Sequence, residues 1–258
     1  MSFDLQSIKS SLRDRPKRII ITGTPKVGKS TLASQAPNPV FIPIRGEEGI
    51  DTIDVKAFPV ANSIGDVLQA IGTLYSEESE YKTVVIDSMS TLEPIIWDEV
   101  CRINGKVDSI EKVGGGYQVG YTESLKQWRE ITEGLDALRN DKGIGSILIT
   151  HVRVEKFNDP GADPYDRYTC DIHKKAVELL TRWADGILFM RKKVVVKKED
   201  VGFGKKQARA IDTGGGAPFM YTQSRTSHPG GGRHPWEKLP YEMEPDWELM
   251  EKYLKGDE

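Results

Sequence analysis

The chain reads as short apolar runs set between amphipathic stretches. Arg18-Ile19-Ile20-Ile21-Thr22 is continuous and β-branched. Val40-Phe41-Ile42-Pro43-Ile44, Lys82-Thr83-Val84-Val85-Ile86-Asp87 and Gly145-Ser146-Ile147-Leu148-Ile149-Thr150-His151 repeat the pattern. Runs of this length without alternation are strands buried on both faces. Between them the apolar period becomes helical. Ser30 to Ala36 reads as a short helix stopped by Pro37 and Pro39. Asn62 or Ser63 caps a helix to about Tyr75, with Ile64, Val67, Leu68, Ile71 and Leu74 on one face. Residues 91–102, 121–139 and 172–183 read as helices, 52–58 as an extended piece and 185–190 as a strand.

Strands separated by helices of this length predict an α/β fold with a mostly parallel, doubly wound sheet. After Arg191 the style changes. Val194-Val195-Val196 and residues 207–211, joined around Gly202-Phe203-Gly204, predict an antiparallel hairpin at the sheet edge. Residues 213–240 are rich in Gly and Pro and read as loop, with a short helix over about 246–254. The expected division is a polar leader over 1–16, with a short helix around Leu5 to Leu12, a core over 17–212, and a loop-rich extension over 213–258 ending in a short acidic helix.

Composition narrows the class. The 258 residues are 38% hydrophobic and 29% charged, which suits a soluble globular protein, and the net charge of −3 does not announce a nucleic-acid binder. No run approaches the roughly 18 apolar residues of a membrane span, and Met1-Ser2-Phe3-Asp4 does not begin a signal peptide. Cys101 and Cys170 form no CxxC, and with four scattered histidines they give no zinc pattern. A reducing, cytoplasmic setting is expected.

Gly23-Thr24-Pro25-Lys26-Val27-Gly28-Lys29-Ser30 fits the phosphate-binding pattern G-x-x-x-x-G-K-[ST], between a predicted strand and a predicted helix that Ser30 and Thr31 begin. Backbone N–H groups of such a loop form a nest for anionic oxygens, and the helix N-terminus adds positive potential. Lys29 is expected to reach the β- and γ-phosphates of ATP, and Ser30 to ligate Mg2+. Asp87, ending a strand, is the expected second acid at the metal. Ser88 follows it where many ATPases place a water-activating Glu, so the base must come from elsewhere. Arg45-Gly46-Glu47-Glu48-Gly49 supplies two candidates just past the next strand, at the end of a parallel sheet where ligands bind.

With these motifs in this order the chain resembles the RecA-like core ATPases. More specifically, it is similar over about residues 17 to 255 to the small RecA-core ATPases of tailed phages. The carriers are the P-loop, Glu48-Gly49, Asp87-Ser88, Ile147 to His151 and Ala184-Asp185-Gly186. The resemblance implies Glu48 as the base, with Glu47 the fallback. It implies that the strand ending in Thr150-His151 lies between the P-loop strand and the Asp87 strand, so that His151 senses the γ-phosphate where RecA has a Gln. It also implies self-assembly into a homo-oligomer, with Lys174 or Lys175 acting in trans, and a role on single-stranded DNA in recombination or annealing, in the cytoplasm of a bacterial host.

Three segments are candidate DNA contacts. Residues 104–121 carry Gly114-Gly115-Gly116-Tyr117 and Tyr121, and residues 153–175 carry Phe157, Tyr165, Arg167 and Tyr168 but balance their charges. Residues 191–209 hold Arg191, Lys192, Lys193, Lys197, Lys198, Lys205, Lys206 and Arg209 against Glu199 and Asp200, a phosphate track or lysine protection of an edge strand. The rival readings are a P-loop small-molecule or nucleotide kinase and a helicase-like or loader ATPase. A GTPase is disfavoured by the lack of N-K-x-D. The sequence leaves Arg225 and Arg233 unplaced.

Overall fold

The structure, a computed structural model, describes residues 15–47, 49–192, 194–200, 206–212 and 216–256, with backbone alone for 194–200 and 206–212. The N-terminal half contains β1 (Arg18–Gly23), α1 (Lys29–Ser34), β2 (Pro39–Pro43), β3 (Lys56–Ala57), α2 (Ile64–Ser76), β4 (Thr83–Asp87), α3 (Met89–Ile103) and α4 (Val119–Ala137). The C-terminal half adds β5 (Gly145–Phe157), β6 (Tyr165–Cys170), α5 (Lys174–Trp183), β7 (Gly186–Lys192), β8 (Val194–Asp200), β9 (Lys206–Asp212), β10 (Pro218–Tyr221), β11 (Gly231–Gly232), β12 (Glu242–Met243) and α6 (Trp247–Lys255).

Among the described residues the main sheet runs β12-β10-β7-β1-β5-β4-β2-β3, with β11 on β7 and β6 on β5. The central strands β7, β1, β5, β4 and β2 are parallel. β5 therefore lies between the P-loop strand and the Asp87 strand, and the fold is α/β with a mostly parallel central sheet.

Strand alternation explains the layers. Successive side chains point to opposite faces. Ile20, Ile42, Ile86 and Leu148 pack under α2, α3, α4 and α5. Ile19, Ile21, Phe41, Val85, Ile147 and Ile149 pack under α1, α6 and Trp236. Each fully buried side chain of this kind stabilises by about 1.5–3 kcal/mol. α2 starts where capping chemistry is present: Ser63 Oγ accepts the Asp66 N–H at 3.2 Å, and Asp66 accepts the Ser63 N–H at 2.9 Å.

Three expectations change. β5 runs past His151 to Phe157 and pairs antiparallel with β6, so most of the segment read as a loop over 153–175 is a hairpin leading into α5. The β8–β9 hairpin forms, but as a separate two-stranded sheet, because β10 and β11 already occupy the free side of β7. The segment read as loop over 213–240 contributes β10 and β11, and buries Trp236 against the sheet. The leader helix around Leu5 to Leu12 and the turn at Gly202-Phe203-Gly204 lie outside the described residues.

Candidate nucleotide site

The P-loop follows directly from β1. Gly28 has φ +88°, a conformation that disfavours any side chain, and it turns the chain into α1. Gly23 has a different reason to be glycine: a Cβ there would overlap the Met190 carbonyl oxygen of β7. That close approach lets the Thr24 N–H donate to Met190 at 3.2 Å and ties the loop to β7.

The loop residues Pro25 to Thr31 line a cleft of about 560 Å³ together with Glu47, Gly49, Thr52, Ile53, Asp87 and His151. A larger depression of about 700 Å³, beside Trp97 and Tyr121, is lined by none of the loop residues. The candidate phosphate site is therefore the smaller cleft.

Lys29 is only 6% exposed. Its Nζ donates to the carbonyl oxygens of Gly23 at 3.2 Å and Thr24 at 3.0 Å, and lies 3.4 Å from His151 Nδ1. Among the described residues no carboxylate forms an ion pair with it. Burial lowers its pKa to about 8, against the opposing pull of Asp87 and Glu47. A desolvated cation of this kind is matched by a polyanion entering the cleft.

Ser30 and Asp87 meet opposite the lysine. The Ser30 hydroxyl donates to Asp87 Oδ2 at 2.6 Å. Burial raises the Asp87 pKa, and the Ser30 bond and the Lys29 charge oppose the rise. The backbone of Gly49 closes this corner: a Cβ on it would lie 3.3 Å from Ser30 Oγ and 3.9 Å from Asp87 Oδ2. Among the described residues no three His, Cys, Asp or Glu gather as a cage for a metal. One hydroxyl and one carboxylate suit Mg2+, a hard cation that takes its other ligands from phosphate and water.

Glu47 enters the same cleft from the turn after β2. Its Oε2 accepts the Ser88 hydroxyl at 2.9 Å and lies 3.3 Å from His151 Nε2. An ammonium has no lone pair, so Lys29 makes His151 Nδ1 the acceptor, and Nε2–H then donates to Glu47. The His151 bond lowers the Glu47 pKa; partial burial opposes it and the Ser88 bond reinforces it. Glu47 is thus an ionised carboxylate at the mouth of the site. Glu48 lies outside the described residues.

A supporting network escaped the motif reading. Ser90 Oγ receives the His151 N–H at 3.1 Å and lies 3.0 Å from Thr150 Oγ1. Ser88-Met89-Ser90, straight after the strand-terminal Asp87, is the signal that marks it. Behind it, buried Glu93 of α3 accepts the His173 N–H at 2.9 and 2.8 Å, and burial pushes its pKa up to about 7.

Other predicted residues lie elsewhere. Lys174 is exposed at the start of α5, while Lys175 Nζ donates to Thr122 Oγ1 at 2.6 Å; neither lines the cleft. Tyr117 is fully exposed after three positive-φ glycines, but Tyr121 is packed, stacked on His173 at 4.1 Å between ring centroids. Arg233 pairs with Asp185 at 2.9 Å, where Arg18 also binds, so it braces β1 against β7. Arg225 lies over the Tyr241 ring at 3.8 Å.

A family model described as "AAA domain" matches residues 15–234. Among solved structures, the crystal structure of the RadB recombinase is similar at 12% identity with a TM-score of 0.39, covering 80% of this chain and 87% of that one. No curated protein matches the chain.

Proposed function

The chain belongs to the AAA-domain family, and from that premise we propose a Mg2+-dependent ATPase that assembles with itself and acts on single-stranded DNA, as in recombination or strand annealing. The observation that carries the ATPase reading is the convergence of buried Lys29, the Ser30–Asp87 pair and ionised Glu47 on one cleft.

Residues Gly23 to Thr31 would hold the triphosphate through loop N–H groups and Lys29. Ser30 and Asp87 would hold Mg2+, which neutralises phosphate charge when bound. Glu47 is positioned by Ser88 and His151 to take a proton from the attacking water. His151 touches both Lys29 and Glu47, so phosphate binding at the lysine reaches the base through one ring. Lys174, exposed at the start of α5, is the better placed of the two lysines to reach a neighbouring subunit's phosphate. Cys101 and Cys170 are free thiols, in keeping with a cytoplasmic setting, and among the described residues no helix is long and apolar enough to cross a membrane.

The test is the ATPase rate with and without single-stranded DNA across a salt series. Stimulation that fades with salt is expected. A rate indifferent to DNA at every salt concentration overturns the DNA reading, and phosphate transfer to a small acceptor favours the kinase.

A further inference from the structure

Two guanidinium groups lie over a stack of rings beside the phosphate cleft, and a third flanks it on the hairpin. Arg167 comes from β6, Arg191 from the end of β7 and Arg225 from the segment after β10. Buried Phe189 lies 5.2 Å from Tyr168, 4.7 Å from His228 and 6.0 Å from Tyr221, between ring centroids. Tyr241 continues the stack 5.5 Å from Tyr221. Arg225 lies over Tyr241 at 3.8 Å, Arg191 over Tyr221 at 5.4 Å, and Arg167 over Phe157 at 5.2 Å.

The charges here are mostly basic, with Glu242 of β12 beside Tyr241. Among the described residues none of the three arginines pairs with a carboxylate; Glu155, opposite Arg167 in the hairpin, turns to Arg153 at 3.6 Å. The Nε of Arg191 is buried with no hydrogen-bond partner. Burial lowers the pKa of His228 against the pull of the Pro229 carbonyl, and the charges of Arg191, Arg225 and Arg167 lower it further. Three like charges repel, and an anion placed among them relieves the repulsion. Tyr168 and Tyr241 are only half-buried at the same place. Cations beside half-buried tyrosine rings match a chain that offers both phosphates and unstacked bases.

We propose that this cluster is the binding site for a single-stranded polynucleotide, which deepens the DNA reading above and rests on it. Two strands connect it to the phosphate cleft. Arg191 follows Met190, whose carbonyl oxygen accepts the Thr24 N–H of the P-loop. Tyr168 pairs with Val154, on the strand that carries His151. A bound strand is thereby in register with both ends of the Lys29–His151 contact.

The experiment is fluorescence anisotropy of a labelled oligothymidylate of about thirty nucleotides with the full chain. Arg167→Gln/Arg225→Gln weakens binding about tenfold or more and flattens the salt slope by about 1.4, from two lost phosphate contacts. Tyr241→Leu weakens binding with the salt slope unchanged. Circular dichroism and Tm check the fold, and the arginine double variant, altered at one exposed and one half-buried position, stands alone if Tyr241→Leu unfolds. If the wild type binds the oligonucleotide and both folded variants bind it equally well, the site is wrong while the DNA reading stands. If the wild type binds no single strand, the DNA reading fails and takes this site with it. Preference for a duplex overturns the role of the ring faces, and tighter binding of an oligouridylate overturns the assignment to DNA.

Discussion

Raising the pH through about 8 weakens ATP binding if Lys29 is the cation that meets the phosphates. Burial holds its ammonium at a pKa of about 8, against 10.5 for a free lysine. Phosphate beside Nζ favours the charged form, so the pKa of the bound state lies above that of the free state. Between the two values binding takes up a proton, and affinity falls as pH rises, by up to tenfold or about 1.4 kcal/mol per pH unit. From about pH 8 to about pH 9.5 the loss is roughly ten- to fifteenfold. The stability contribution has the opposite sign. A lysine with a lowered folded-state pKa binds fewer protons than the unfolded chain between about 8 and 10.5, so its contribution to stability rises with pH in that window. The affinity loss is therefore separable from unfolding. The assay is titration of a fluorescent ATP analogue at fixed ionic strength with EDTA present, which removes metal hydration from the reading. Lys29→Arg, whose guanidinium stays charged, gives a flat profile. A flat wild-type profile over the same range refutes the argument.

Further outcomes follow from the same contacts. Lys29→Ala abolishes ATP turnover, measured as phosphate release; normal turnover contradicts the phosphate-site assignment. Glu93→Gln stabilises the protein at about pH 8 by up to roughly 3 kcal/mol in denaturant unfolding, because a buried carboxyl with its pKa raised from 4.5 to about 7 loses stability as pH rises through that interval. Below about pH 4.5 the two proteins are equally stable, and a constant difference at all pH values contradicts the buried-acid account.

The central layers of the fold were legible because their strands are uninterrupted β-branched runs, and the phosphate cleft because its loop has fixed spacing. The hairpin β5–β6 was not legible. Past His151 the alternation Val152-Arg153-Val154-Glu155 lasts only four residues, on a stretch that is half-buried to exposed, so it gives no sustained apolar face. Trp236 gave no periodic signal either, since its burial depends on β7, far away in sequence, where Gly186 leaves room for the indole. The resemblance points to Glu48, which lies outside the described residues, while the contacts of Glu47 with Ser88 and His151 depend on residues far along the chain that no local window brings together. The three arginines of the ring cluster are scattered over β6, β7 and the segment after β10, so no local window assembles them.

The most direct measurement of the account is single-turnover ATP hydrolysis by Glu47→Gln, with ATP affinity recorded on the same protein. A positioned general base contributes about 10²–10⁴-fold. ATP binding is expected to stay near wild type, with hydrolysis slowed at least about a hundredfold. Hydrolysis at close to the wild-type rate, with the loss appearing in Glu48→Gln instead, contradicts the account.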